Sequence, residues 1–389
     1  MGYVIVNGLY ARVDLFMGSR SPYPFRCLDG AKGSLLPKIL LAIGLVMGMA
    51  QPVDATVMRH VFRVELPVAQ LAARPSVADI RLAAGILLDR ITGDPDLANR
   101  GTVSALIAES GQWVAEYGYQ RAGARSGNRI GLKSRLPFRL WIRFDHRAVE
   151  RAVFGAHLPF WGDLRPRLLI WLDTGSNSSE ILSASSSSPL RWHLKRVFGR
   201  LALPALLPLM DLRERTEIGI HNLSPPAWSL LHQVSQPYHP EALWVGRLQG
   251  NAASGWMGNF AVQTGHFTLN WQSRHLHVHR WRVLQSALDY LDSILASRFA
   301  VFASHQPVRL SIRIQGRLTL RQVSRIENFL HHLPGVTQPR LLELAPKSLV
   351  LTLVARIDRT HLERLMLLAG PGIHLKPEPG HRLVFALQS

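Results

Sequence analysis

The chain has 389 residues, 47% of them hydrophobic and 18% charged, a composition that supports packed domains and excludes a mostly disordered protein. Its 6 lysines and 39 arginines outnumber 26 acidic residues, which gives a formal net charge of +19. The single cysteine, Cys27, excludes an intrachain disulfide framework and any multi-cysteine zinc or iron–sulfur site.

The N-terminal region has the order of a secretory signal peptide. Residues 39–50 form an uncharged apolar run that follows Lys32 and Lys38. Val53 and Ala55 then fit the positions before a cleavage site, with Gly48 and Ala50 as an alternative pair. The sequence therefore predicts residues 1–55 as an N-terminal extension with a signal peptide, cleavage near Ala55, and a periplasmic protein.

Two other interpretations of the apolar run are a membrane anchor and a buried core helix. A spanning helix needs about 20 apolar residues, more than this run of twelve provides between Lys38 and Asp54. Met17 is an alternative start of translation. Cleavage after Ala55 removes Cys27, so the mature chain would have no cysteine and, by this pattern, no transmembrane segment.

Residues 56–164 are predicted to form a small α/β domain. The hydrophobic spacing indicates a strand over 57–66, helices over 76–91 and 102–116, a strand over 136–144 and a final helix. Ser76 and Asp145 are the expected helix caps.

Residues 165–280 are predicted to form a mixed-sheet α/β domain. Apolar strands over 168–172, 205–209 and 242–248 alternate with helices, and antiparallel strands follow. The Ser-rich segment 176–188 has the composition of a flexible surface loop.

Residues 281–389 are predicted to form a helix and a ferredoxin-like domain. After a helix near 283–298, the pattern is β-α-β-β-α-β, with Thr360 and Glu363 as a capping box and Leu320, Val323, Ile326 and Leu330 buried. The predicted fold class is therefore multidomain, α/β and α+β.

Six short segments together carry a resemblance to a known family. They are LLDRITGD (87–94), LWIRFD (140–145), LPFWG (158–162), RPRLLIWL (165–172), LPLMDL (207–212) and ALWVGRL (242–248). In this order they resemble the proteobacterial family known as domain of unknown function 2066, which has no assigned activity and so implies no catalytic residues. More distantly, the middle unit is similar to small α/β envelope domains, such as the N-terminal domain of the Tol-system translocation protein and flagellar outer-ring proteins.

Asp173 and Asp211 are the candidate catalytic residues. Both follow predicted strands, and ligands of open α/β sheets lie beyond the carboxyl ends of strands. Two carboxylates there could hold a cation or act as acid and base, whereas the simpler interpretation is loop capping. Arg213 and Arg215 lie nearby and favour fixed carboxylates over a proton-transfer pair.

Two further clusters have a functional and a structural interpretation. His275, His277 and His279 would share one face of a strand, but about 6–7 Å apart, too far to hold one ion. Trp161, Asp163, Arg165 and Arg167 could frame a binding edge or an interdomain joint in which Asp163 pairs with an arginine.

The sequence predicts an exported, non-catalytic protein. No hydrolase, zinc-protease or nucleotide-binding motif occurs, so no enzyme activity, cofactor or metal is predicted. We expect an envelope adaptor or assembly factor with a protein partner and no nucleic acid. The alternatives are a binder of anionic envelope polymers through a basic surface and a hydrolase with its site at Asp173 and Asp211.

N-terminal sequencing tests the export signal. We expect the protein purified from the periplasm to begin near Thr56, because the basic, apolar and small-residue order ends there. A mature chain that keeps residues 39–50 would contradict the prediction.

Overall fold

Three separate β-sheets organise the protein. The computed structural model describes residues 61–121, 136–175, 180–251, 253–273, 275–304, 306–366, 368, 374–377 and 383–388. The expectation of a multidomain α/β and α+β fold is confirmed, because each sheet has its own helices and hydrophobic core. The predicted signal peptide, its cleavage site and Cys27 lie outside the described residues.

The first sheet is antiparallel, with the strand order β1-β3-β2. Its elements are β1 (Arg63–Val68), α1 (Val77–Thr92), α2 (Ser104–Ala108), β2 (Val114–Arg121), β3 (Phe138–Phe144) and α3 (His146–Gly155). Ser76 and Asp145 cap α1 and α3 as predicted. Gly93 ends α1 at φ +70°, and a Cβ there would lie 2.0 Å from the Cβ of Ala296, so only glycine fits.

The predicted helix over 102–116 is wrong beyond its first turns. The structure has the five-residue α2, a 3₁₀ turn over Ser110–Trp113 and then β2. Strand β2 pairs with β3, so a contact distant in sequence decides the conformation of a segment with an ambiguous local pattern.

The second sheet is mixed, in the order β5-β4-β6-β7-β8. Its elements are β4 (Leu168–Asp173), α4 (Pro189–Leu201), β5 (Ala205–Leu206), α5 (Leu212–Glu217), α6 (Trp228–Ser235), β6 (Ala242–Asn251), β7 (Gly255–Thr264) and β8 (Phe267–Gln272). Strands β5, β4 and β6 are parallel, and β6, β7 and β8 are antiparallel. Two hydrophobic clusters cover the two faces of β4, which explains why all six of its residues are buried.

The Ser-rich segment is not a free surface loop over its described part. Ile181 and Leu182 are buried, and Leu182 N–H donates to the carbonyl of Leu172 on β4. These two apolar side chains anchor the segment among its serines.

Helix α7 (Arg280–Phe299) packs on the second sheet. Val283, Leu284, Leu288, Leu291 and Leu295 are buried in the same cluster as β4, β6 and α4. The sequence predicts that this helix belongs to the C-terminal domain, residues 281–389. In the structure, most of its buried side chains pack against the second sheet instead.

The third sheet has the order β10-β11-β9-β13-β12. Its elements are β9 (Val308–Gln315), α8 (Leu320–His332), β10 (Val336–Ala345), β11 (Ser348–Ala355), α9 (Arg359–Met366), β12 (His374–Pro377) and β13 (Val384–Gln388). The predicted order holds from β9 to α9. The additional strand β12 then precedes β13, which runs parallel to β9.

Two local predictions in this unit are wrong. Leu320 is 80% exposed because it is the first residue of α8, whereas Val323, Ile326 and Leu330 are buried. Helix α9 begins at Arg359, before Thr360, and the Asp358 side chain accepts a hydrogen bond from His361 N–H.

A buried arginine, Arg165, joins the first two units. Its guanidinium donates to the carbonyls of Arg90 at 2.8 Å and Leu201 at 2.8 Å, near the C-terminal ends of α1 and α4, and to those of Gly162 and Trp161. It also lies 4.1 Å from the ring centroid of Trp161. A cation is favourable where helix carbonyls lack partners, which offsets the cost of its burial.

Arg90 and Asp292 complete this junction. Arg90 donates to the carbonyls of Val61 at 2.7 Å, Arg63 at 2.9 Å and Arg200 at 2.8 Å. Asp292 of α7 is 3% exposed, and its Oδ1 has no hydrogen-bond partner among the described residues. We call Arg90, Arg165 and Asp292 the arginine junction.

Asp163 has a different role from the predicted one. Its carboxylate forms no ion pair with Arg165 or Arg167 among the described residues, and Arg167 lies beside Glu241 instead. Burial raises the pKa of Asp163 to about 6, although His332 and Arg165 oppose the shift.

Helix α3 connects the first unit to the third. Glu150 is buried and accepts hydrogen bonds from Gly335 N–H and from Arg147. Arg147 also donates to the carbonyl of His331 at 2.8 Å. The loop between α8 and β10 is therefore fixed against α3.

No helix within the described ranges is long and apolar enough to cross a membrane.

Asp292 should make stability fall as pH rises. Burial raises its pKa from 3.8 to about 7 in the folded protein, despite the nearby arginines, so folding favours the protonated form. The stabilisation from protonated Asp292 is complete at pH values below the pKa of this group in the unfolded chain. It is lost as the pH rises through the pKa of Asp292 in the folded protein, about 7.

The variant Asp292→Asn removes this titration. Relative to wild type, it should gain about 3 kcal/mol in free energy of unfolding between about pH 4.5 and about pH 8, measured by urea titration. Asp96→Asn is the control, because Asp96 is exposed and forms no ion pair among the described residues, and it should change the free energy of unfolding far less. Equal pH dependence in wild type and Asp292→Asn would contradict the assignment.

Candidate binding surface

Asp173 stabilises the end of a strand. One carboxylate oxygen lies 3.3 Å from Nε of Arg247 on the adjacent β6, and the other accepts a hydrogen bond from Gly175 N–H at 2.9 Å. The side chain is buried. Both oxygens therefore already have partners within the protein.

Asp211 caps helix α5. It accepts a hydrogen bond from Glu214 N–H at 2.8 Å, and Glu214 accepts one from Asp211 N–H at 3.0 Å. Arg213 pairs with Glu217, and Arg215 donates to the carbonyl of Met210. Within the described residues, no ion pair or hydrogen bond joins Asp211 to Asp173.

The three histidines have different surroundings. His275 and His277 line a groove beside β8, while His279 stacks on Trp281 with the ring centroids 6.3 Å apart. Throughout the described ranges, no group of three or more histidine, cysteine or acidic side chains is placed to hold a metal ion.

Cationic and aromatic side chains converge where α4 and α7 begin. We define the basic aromatic surface by Arg191, Trp192, Lys195 and Arg196 of α4, Arg280, Trp281 and Arg282 of α7, and Trp256 of β7. His193 of α4 stacks on Trp281 at a centroid distance of 5.5 Å, which fixes the two helices side by side. Burial and the charge of Arg196 lower the pKa of His193, which favours the neutral ring in this contact.

Each tryptophan of this surface lies against a cation. Arg191 is 4.9 Å from the ring centroid of Trp192, and Lys195 is 6.0 Å from it on the same helix. Arg282 lies 4.3 Å from Trp281. These contacts hold the cations in place without neutralising their charge.

The cations of this surface have no acidic partners among the described residues. In the part of the chain that the structure describes, Arg191, Lys195, Arg196 and Arg282 have no carboxylate within the 4.0 Å of an ion pair. Other arginines do pair, such as Arg143 with Glu116 and Arg200 with Asp289. The surface therefore presents uncompensated positive charge.

Arg280 connects this surface to the ends of the strands. Its guanidinium lies 5.0 Å from the ring centroid of Trp256 and donates to the carbonyl of Thr174, just beyond β4. Trp256 in turn exchanges two backbone hydrogen bonds with His277, at 2.7 and 3.0 Å. The loop before α7 is thus paired to the β6–β7 hairpin.

An aromatic groove of about 320 Å³ adjoins the same loop. Phe260, Trp271 and Tyr290 line it, with Trp271 edge-on to Tyr290 at a centroid distance of 5.4 Å. A second cleft, of about 520 Å³, lies beside the cis peptide bond between Ser224 and Pro225. Neither cleft includes Asp173 or Asp211 in its lining.

Two short segments of the sequence, RWHLKR (191–196) and HRWR (279–282), each combine cations with a tryptophan. Taken alone, the first predicts a helix and the second only the end of a histidine cluster. The convergence of the two segments depends on how α4 packs on α7, which no local pattern reveals.

A family model described as "Domain of unknown function (DUF8605)" matches residues 55–162. The matched region covers the first sheet and its helices and excludes α4 and α7. No curated protein and no solved structure matches the chain. The resemblance to domain of unknown function 2066 remains a prediction.

Proposed function

We propose that this protein is an exported, periplasmic, non-catalytic adaptor or assembly factor that binds an anionic ligand of the cell envelope. The basic aromatic surface is the observation that carries the proposal. Four of its five cations, Arg191, Lys195, Arg280 and Arg282, lie against tryptophan rings, and none of the five forms an ion pair with a carboxylate in the described structure.

Phosphate groups suit this arrangement. Guanidinium groups bind phosphate oxygens through paired N–H donors, and their attraction adds over several neighbouring cations. Trp192 is exposed and Trp281 is half-buried, so both rings could contact the apolar parts of such a ligand. Phosphate-bearing lipids and polymers are the envelope molecules with this chemistry.

The two candidate catalytic carboxylates support a non-catalytic role. The carboxylate of Asp173 pairs with Arg247 and accepts a hydrogen bond from Gly175 N–H. The carboxylate of Asp211 accepts a hydrogen bond from the first turn of its own helix, α5. Catalysis needs an acid, base or nucleophile beside a site for the reacting atoms. The hydrolase alternative at Asp173 and Asp211 therefore has less support than ligand binding.

Export is supported by the sequence alone. The basic, apolar and small-residue order of residues 32–55 suits a signal peptide, and a mature chain without cysteine suits an oxidising compartment. Removal of residues 1–55 takes away five basic and three acidic residues and leaves a net charge of +17, so the exported chain stays strongly basic.

Binding to fluorescent polyphosphate, followed by fluorescence anisotropy, tests the proposal. The variant Arg191→Gln/Lys195→Gln/Arg196→Gln/Arg282→Gln should bind at least about tenfold more weakly than wild type, since each cation near an anionic surface contributes about 1 kcal/mol. Its affinity should also depend less on salt concentration.

The control removes the same charge elsewhere. Arg309, Arg313, Arg317 and Arg321 are exposed on the third unit, and their quadruple replacement by glutamine should retain most of the affinity. Equal losses in the two quadruple variants would show that only the overall charge matters and would contradict a defined binding surface. If wild type does not bind polyphosphate, the proposal of a defined binding surface is likewise contradicted.

A further inference from the structure

We infer that the basic aromatic surface docks on an anionic lipid bilayer, with Leu276 and Val278 entering the headgroup region. This inference rests on the proposed function and specifies its ligand. The observation behind it is the arrangement of apolar side chains in the loop that leads into α7.

Residues 275–279 expose both of their apolar side chains. Only His277 is half-buried, while His275 is exposed at the rim of the aromatic groove and His279 is exposed where it stacks on Trp281. Leu276 and Val278 are 62% and 70% exposed. Leu276 and Val278, on either side of His277, therefore expose apolar surface that water solvates poorly.

The loop is held in this conformation by its backbone. His277 pairs with Trp256 through two hydrogen bonds, and the Cβ of Leu276 lies 3.3 Å from where a Cβ on Gly255 would be. The segment that carries Leu276 and Val278 is thus held against the β6–β7 hairpin, with both side chains exposed to solvent.

Cations lie near these two apolar side chains in the sequence and in the fold. Arg280 and Arg282 follow within four residues of Val278, and the stacking of His193 on Trp281 brings the first turns of α4 and α7 together. Trp192 is 39% exposed among them. Positive charge, an exposed tryptophan and a projecting apolar pair match the layers of a membrane surface, namely phosphate, interface and acyl boundary.

This combination favours a bilayer over a soluble polymer. A dissolved polyanion would use the cations and leave Leu276 and Val278 in water, whereas a bilayer would remove both side chains from water and also neutralise the charge. The cations of the basic aromatic surface favour an anionic lipid surface over a neutral one. Leu276 and Val278 are the side chains that would enter the headgroup region.

Vesicle co-sedimentation of the protein purified from the periplasm tests the inference, because the apolar run of residues 39–50 in an unprocessed chain could itself enter a bilayer. The probes are vesicles of phosphatidylcholine alone and vesicles of equal parts phosphatidylcholine and phosphatidylglycerol. We expect binding to the second kind only. Leu276→Ser/Val278→Ser should reduce this binding about tenfold, from the lost burial of two short apolar side chains, while leaving polyphosphate binding unchanged.

Leu209→Ser/Leu212→Ser is the matched control, because both leucines are exposed in another part of the second unit. It should bind both probes like wild type. The two experiments separate the two proposals. If wild type binds polyphosphate but Leu276→Ser/Val278→Ser binds vesicles as well as wild type does, the bilayer inference alone is overturned. Absence of both polyphosphate and vesicle binding overturns the proposed function as well.

A dye at the loop tip gives a readout that does not depend on affinity. In the Cys27→Ser background, an environment-sensitive fluorophore on Val278→Cys should shift to shorter wavelength on phosphatidylglycerol vesicles, and one on Leu212→Cys should not. An unshifted spectrum for the position 278 label, in protein that has bound the vesicles, would show docking without insertion and overturn the inference.

Discussion

The burial of a permanent positive charge at Arg165 is the constraint on which the arrangement of the first two units depends. Burial lowers the pKa of Arg165 to about 10, so the group remains cationic. An unpaired buried cation would cost several kcal/mol, and here four backbone carbonyls accept its N–H groups. Two of those carbonyls belong to the last turns of α1 and α4, so the two helices must end at the same place.

The arginine junction also determines where the basic aromatic surface lies. Helix α4 begins with the cations and Trp192 and ends at the carbonyl of Leu201, which accepts from Arg165. Helix α7 begins with Arg280 and Trp281 and carries Asp292 three turns later, within electrostatic reach of Arg165. Both helices are thus anchored at the arginine junction, away from their first turns, which carry the basic aromatic surface.

Local patterns predicted much of the fold. Caps at Ser76 and Asp145 and the apolar runs of β4 and β6 are short-range signals, and each appears in the structure. The failures involve contacts distant in sequence: Val114–Arg121 becomes a strand by pairing with β3. The basic aromatic surface depends on the same kind of contact, since His193 and Trp281 meet only where α4 and α7 pack together.

Native-state hydrogen exchange of wild type and Arg165→Lys tests the central claim most directly. Lysine keeps the charge but lacks the planar set of donors that reaches several carbonyls at once. The account predicts that backbone amides in the last turns of α1 and α4 and in the middle of α7 lose protection, while those of β9 and β11 in the third sheet keep theirs. Unchanged protection in the three helices, or an equal loss across all three sheets, would contradict the claim that Arg165 fixes the helices behind the binding surface.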